Sequence, residues 1–200
     1  MTDIGQDPGA ENRSGGMDRC EPYTLLRMKA RSLFLSRGFH GISLRKLGDH
    51  MGVHAGSLYH YIKSKQALLF EIIEDYEASL AEAFFVVSNG TPRSRLLEFV
   101  SIYVNHLALN DESFQLASLE YRNLTEVQQA EIQNIRLAWQ SRLEGILLDG
   151  VSLGDFECKN VSATSAGAIA VMNCLADRLG DPSIAIEVCQ ALIIRMAAKS

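Results

Sequence analysis

Residues 41–69 read "GISLRKLGDHMGVHAGSLYHYIKSKQALL". Within them Ser43 is a candidate N-cap, and Leu44, Leu47, Gly48 and Met51 follow at i, i+3, i+4 and i+7, the spacing of one helix face. Gly52 ends that helix, and a third short helix is predicted over about residues 55–62, burying Leu58 and Ile62. Val53 and Leu58 are placed to pack the third helix back on the second. Gly48 lies where the two approach most closely, so a large side chain there would push them apart. Gly52 supplies the left-handed backbone of a tight turn. This is the layout of a helix-turn-helix.

Outward from this stretch the chain reads as helix throughout, with no strand-like alternation and no internal repeat. In the first helix Leu26, Ala30, Leu33 and Phe34 fall on one face, and Gly38 stops it. A long fourth helix is predicted from Lys65 to about Ser88, with Leu68, Leu69, Ile72, Tyr76, Leu80, Ala83, Phe84 and Val87 as its buried stripe. Further helices are predicted over about 93–109, 113–122, 125–149, 161–179 and 182–198, with "DGVSLGDFECKN" as a late loop. The helix over 161–179 is dense in small residues (Ser162, Ala163, Ser165, Ala166, Gly167, Ala168, Ala170), which suits either close packing within the chain or a subunit interface.

The predicted organisation is a disordered leader over 1–20, a helix-turn-helix unit over 21–66 and a larger helical body over 67–200. The leader is polar and glycine-rich, without the basic flank and apolar centre of a secretory signal. The longest apolar runs are far short of the ~18 to 20 residues that cross a bilayer, so no membrane partner is expected. Cys20, Cys158, Cys174 and Cys189 are scattered without paired or metal-type spacing, as suits reduced thiols in a cytoplasm. Net charge is −5, unevenly spread: residues 23–65 carry +7, whereas residues 66–200 carry −9. A basic unit meeting a polyanion would show this pattern, and so would a solvated basic face; charge alone does not choose.

A helix-turn-helix reads DNA because one helix fits the major groove while the other braces across the backbone. At this level of detail the run 41–69, with "ARSLFLSRGFHG" before it, closely resembles the DNA-binding domain of the TetR/AcrR family of bacterial transcriptional regulators. The match covers about residues 28–70. The resemblance implies an all-α fold of about nine helices, with an N-terminal helix-turn-helix domain and a C-terminal ligand-binding and dimerisation domain. Carried onto this chain, it makes Ser43 a phosphate contact at a helix start, with Arg45 close behind reaching a phosphate or a base edge. Ala55, Gly56 and Ser57 become the leading turn of the recognition helix; Tyr59 and His60 face DNA, and Lys65 meets the phosphate backbone. Tyr61 and Ile62 are assigned to the core. Three positions depart from the family pattern. Gly48 replaces the usual Ala, at ~1 kcal/mol of helix propensity; His54 replaces the usual capping Ser; Ile62 replaces the common Phe.

For the body the resemblance implies a small-molecule effector and a two-fold homodimer built from the last two helices, about 161–198. Candidate effector contacts are Tyr103, His106, Arg122, Trp139, Arg142, Met172 and Asn173, polar or aromatic residues at mostly apolar helical positions. The segment 117–157 looks like the corresponding region of members that sense acyl-CoA thioesters or related lipid-catabolic intermediates; a multidrug-type sensor with a greasy pocket is the alternative. The expected function is a repressor that binds a palindromic operator as a homodimer and is released by its effector. An all-helical enzyme or carrier is the remote alternative, since the sequence offers no nucleophile elbow, phosphate loop or paired carboxylates. No cofactor is expected. His40, His50, His54 and His60 cluster in the basic unit, but Gly52 breaks the helix between His50 and His54 and no cysteine lies near, so no metal site is expected either.

Overall fold

Polar side chains set most of the helix starts. Ser43, Ser64, Thr91, Thr125, Asn160 and Asp181 each accept a backbone N–H from the first turn of their helix, and Thr125 with Gln128 completes a reciprocal capping box. Pro92 and Pro182 occupy first helical positions, where a missing N–H costs nothing. The computed structural model describes residues 20–86 and 89–198. Among them it has nine α-helices and no strand: α1 Cys20–Arg37, α2 Leu44–Met51, α3 Ala55–Leu58, α4 Lys65–Ala83, α5 Pro92–Leu109, α6 Asp111–Glu120, α7 Glu126–Ser152, α8 Val161–Leu179 and α9 Pro182–Ala197. Short 3-10 turns, Phe84–Val86 and Tyr121–Asn123, follow α4 and α6. The expected leader, residues 1–19 of it, and Val87 of the fourth-helix stripe lie outside the described residues.

The chain folds as a small head (α1–α3) on a larger helical body. Leu26, Ala30, Phe34, Phe39, Ile42, Leu47, Leu58 and Ile62 form the head's apolar centre, all nearly or fully buried. α4 runs from the head into the body, burying Leu68, Leu69, Ile72, Ile73, Tyr76 and Leu80. There it packs on α7, while α5 sits among α7, α8 and α9, and α8 lies along α9. Phe84 stacks on Phe99 with ring centres 4.1 Å apart, joining the end of α4 to α5. α6 bridges the two parts, touching α1 on one side and α4 on the other.

The head departs from the helical reading at one place. α3 ends at Leu58, and residues 59–61 form a turn in which the Ile62 amide bonds back to the Leu58 carbonyl at 3.0 Å. Helical spacing therefore stops applying after Leu58. Ile62 is buried as expected, but Tyr61 is 41 % exposed and not a core residue, and Tyr59 is 60 % exposed. Val53 is 39 % exposed, and its backbone carbonyl faces Gly48. A Cβ built on Gly48 would sit 2.6 Å from the Val53 carbonyl oxygen and 3.2 Å from the Ala55 nitrogen. Backbone atoms cannot yield as a flexible side chain would.

Gly48→Ala is therefore expected to destabilise the protein by about 1–3 kcal/mol through overpacking, although propensity alone would favour Ala by ~1 kcal/mol. Denaturant unfolding of the two proteins decides the sign; a more stable Gly48→Ala variant would mean that α2 and α3 separate without cost.

Candidate DNA interface and effector cavity

The residues expected to face DNA emerge on the head's surface. Ser43 Oγ accepts the Lys46 amide at 3.2 Å, so its hydroxyl oxygen already serves as the α2 cap. Arg45, Lys46 and Lys63 are exposed, as are Gly56, Tyr59 and His60, while Ala55 and Ser57 are half-buried. No side chain or backbone closes over Gly56. His54 occupies the N-cap position of α3 in extended backbone but makes no side-chain cap; the Ser57 amide bonds to the His54 carbonyl at 2.9 Å instead.

Lys65 is placed differently from a free phosphate ligand. Its ammonium donates to the carbonyls of Phe39 and Ile42, both at 2.8 Å, and lies 4.0 Å from the centre of the Phe39 ring. Burial pushes this lysine below its ordinary pKa, against a smaller opposing pull from Glu120. The same α1–α2 segment is held from α6: the buried Glu120 carboxylate accepts the Phe39 amide at 3.1 Å and also binds the Asn123 side-chain amide. His40 Nε2 lies 3.0 Å from Asn123 Oδ1, and Gln66 donates to the Asn123 carbonyl at 2.9 Å. Arg31 on α1 reaches Glu112 and Ser113 on α6, both at 3.0 Å. Sequence reasoning missed Glu120, Asn123 and Gln66, which look like ordinary surface residues until α6 is brought against the head.

A cavity of about 250 Å³ opens in the body between α4, α5, α6, α7 and α8. Three of the expected effector contacts line it: Tyr103, Trp139 and Asn173. The other four are elsewhere. His106 packs against Tyr76 and lies 3.3 Å from Ser79 Oγ, with burial lowering its pKa; Arg122 is exposed in the second 3-10 turn. Arg142 donates to the Phe84 carbonyl at 2.9 Å, capping the end of α4, and Met172 is fully buried in the core.

The cavity instead recruits Tyr76, Glu77, Phe114, Ser118, Tyr121, Arg136 and Gln140. Glu77 is 3 % exposed, and Arg136 donates to its Oε1 through Nε at 2.7 Å and through Nη2. The missed signal was Glu77 itself, a carboxylate four residues after Ile73 and three before Leu80 on the face that α4 buries. Tyr103 donates its hydroxyl proton to Asn173 Oδ1 at 2.9 Å, and the Trp139 indole N–H is buried with no acceptor among the described residues. A neighbouring space of about 230 Å³, behind Phe114, is walled mainly by Val104, Leu107, Ala108, Ala176 and Ala185.

Glu120→Ala would leave the buried Phe39 amide without a partner and is expected to cost about 1–3 kcal/mol. Hydrogen exchange should show faster exchange at residues 39–42 with little change at α8; unchanged protection of the Phe39 amide would remove Glu120 from this role.

Two family descriptions match the chain: "Bacterial regulatory proteins, tetR family" over residues 27–72 and "Tetracyclin repressor-like, C-terminal domain" over residues 89–177. The HTH-type transcriptional repressor KstR2 of Rhodococcus jostii is 28 % identical over 171 residues, spanning 75 % of this chain and 76 % of that one. The fatty acid metabolism regulator protein of Bacillus subtilis is 23 % identical over 60 % of this chain and 63 % of its own. Among solved structures, the ketosteroid transcriptional regulator KstR2 of Mycobacterium tuberculosis superposes with a TM-score of 0.79 at 20 % identity, covering 94 % of this chain and 100 % of that one. With a helix-turn-helix head, a basic surface on it and both halves of the family pattern present, the chain belongs to the tetR family of bacterial regulatory proteins: it is a DNA-binding transcriptional regulator and not an enzyme.

Proposed function

We propose that the protein is a repressor that binds a palindromic operator as a homodimer and lets go when a lipid-catabolic metabolite, such as an acyl-CoA or a steroid-derived intermediate, occupies the body cavity. The observation that carries this reading is the position of α6. Ala117, Ser118 and Tyr121 line the cavity, while Glu120 and Asn123 in the same stretch hold the α1–α2 segment of the head. A ligand that prefers a different seat for α6 acts on the head by its differential affinity, typically ~1–3 kcal/mol of coupling. The names of the relatives, a ketosteroid regulator and a fatty acid metabolism regulator, support a lipid-derived ligand over a multidrug-type one. So does the buried Glu77–Arg136 pair, because a promiscuous greasy pocket has little use for a fixed charge pair.

Exposed apolar side chains on the last two helices, Leu179, Ile184, Leu192 and Met196, together with the exposed small residues Ala163, Ala166 and Ala170, support α8 and α9 as the dimer surface. A two-fold dimer sets its recognition helices ~34–36 Å apart, or a multiple of it, and so reads matching half-sites. On the head, Ser43 and Arg45 serve the phosphate backbone. Ala55, Gly56 and Ser57 let the chain come close to the groove, and Tyr59 and His60 contact DNA. Lys65 acts on DNA chiefly by fixing the loop that positions α2, with its helix end facing the backbone.

Selection of bound fragments from genomic DNA, followed by release with candidate acyl-CoA and steroid metabolites, tests the reading. Absence of any preferred sequence would overturn it. Against the recovered operator, His60→Ala is expected to lose about 1–3 kcal/mol while affinity for random DNA stays unchanged; Arg45→Ala should weaken both. Equal losses on the two DNAs for His60→Ala would mean that His60 contacts only the backbone. Ile184→Glu with Leu192→Glu should give a monomer by sedimentation and abolish operator binding.

A further inference from the structure

Two spaces in the body share one wall: the cavity of about 250 Å³ and its neighbour of about 230 Å³ both touch Phe114. Helical register places them end to end. On α8, Ile169 and Asn173 line the first space, and Ala176 with Gly180 just past the helix end line the second, at i, i+4, i+7 and i+11. On α6 the order runs the other way, with Asp111 on the second space, Phe114 on both and Ser118 on the first. Seven positions separate Ile169 from Ala176, and Asp111 from Ser118. At 1.5 Å of rise per residue the two spaces follow one another over about 10 Å.

Their walls differ in chemistry. The first space holds the Glu77–Arg136 pair, Ser118 and Gln140. The second is walled by the aliphatic side chains of Val104, Leu107, Ala176 and Ala185. It lies between the α5–α6 and α8–α9 turns, where Ala108, Asp111 and Gly180 are exposed at its rim. The Asp111 carboxylate is held there by the Gln115 side-chain amide, at 3.0 Å from each oxygen. Phe114 is half-buried, and its ring centre lies 6.4 Å from that of Tyr76. A phenyl ring has no polar atom to fix it, so rotation about its first side-chain bond carries it between staggered positions. Taken singly, each space is smaller than the ~300–1,000 Å³ of a usual small-molecule site; joined, they reach that range.

Resting on the assignment of the body cavity as the effector site, we propose that the two spaces are the near and far halves of one channel, with Phe114 as a movable partition, and that the far half takes the aliphatic end of the effector. The polar groups of the ligand stay in the near half, where the polar side chains are. Burial of methylene groups against Val104, Leu107, Ala176 and Ala185 favours a chain in the far half, and the Asp111 carboxylate at its rim disfavours an anionic end. Phe114 thereby sorts ligands by length. A chain that stops short of the ring uses the near half alone, and a longer one must displace the ring to gain the rest.

The probes are n-hexanol and n-decanol, which share one uncharged head and differ only in chain length, titrated into the full chain by calorimetry. Emission of Trp139, the single tryptophan of the chain and a wall of the near half, gives a second readout. Ala176→Phe and Ala108→Phe each fill the far half. Both should weaken decanol binding about tenfold or more, since each methylene kept out of the far half forfeits roughly fourfold in affinity, and should leave hexanol within about twofold. Ala108 sits at the exposed rim, so its variant carries the test even if Ala176→Phe does not fold. Phe114→Ala should strengthen decanol about tenfold with little change for hexanol. A crystal structure of the decanol complex should place its terminal carbons between Leu107 and Ala176, with the Phe114 ring turned away from Tyr76. Equal weakening of both alcohols by the filling variants, decanol binding untouched by either of them, or a decanol complex with an empty far half would overturn the inference and leave the near cavity as an effector site. If neither alcohol releases heat or alters Trp139 emission, the effector reading of the cavity falls as well.

Discussion

The segment between α1 and α2 is the constraint on which the rest of the molecule depends. Phe39 and Ile42 are buried, yet their backbone groups leave the regular helix ladder and must find partners elsewhere. Two carbonyls are satisfied by the Lys65 ammonium from α4 and one amide by the Glu120 carboxylate from α6. Because both groups are charged, these are among the stronger hydrogen bonds available to a protein, and each is costly to leave half-made. The head therefore does not hang on its linker alone. It is gripped from two helices that also bound the body cavity, and any repositioning of α6 against α4 must either carry this segment along or break its pairing.

Burial of charge in the body obeys a related logic with a different outcome. Glu77 would be expensive among the rings of Tyr76, Tyr103 and Trp139 were it not for Arg136, whose guanidinium also lies 4.7 Å over the Tyr121 ring. Burial raises the Tyr76 and Tyr103 hydroxyls above their ordinary pKa, so both stay neutral beside that pair. The result is a cavity that holds one charge pair against its rings, with the Trp139 indole N–H beside it buried without an acceptor among the described residues.

The local features of the fold were legible in the sequence because they are local. Ser43 and Gly52 mark helix ends by interactions within one turn, and the predicted second helix begins and ends at them. The stretch 59–61 was not legible: Leu58 and Ile62 sit four apart whether or not a helix joins them, so periodicity could not reveal that the chain turns there and exposes Tyr61. The cavity was half legible. Tyr103, Trp139 and Asn173 stand out as polar or aromatic residues on apolar faces, but Arg136 and Glu77 each look like solvated charges until α7 is laid along α4. Arg142 misled for the opposite reason, since its partner is a backbone carbonyl at the end of another helix, and such partners leave no mark on composition. Lys65 shows the same limit: its place at the head of α4 was clear, and the carbonyls that occupy it were not.

α3 is a single turn without a side-chain cap, and almost nothing in its own residues holds it as a helix. Its shape is imposed from behind, by Leu58 and Ile62 in the head core and by the close backbone approach at Gly48. The exposed side chains of Tyr59 and His60 consequently contribute little to whether the head folds. Tyr59 and His60 lie outside that support on the exposed side of the turn, so what the head presents there is set by where its core ends rather than by the turn's own residues.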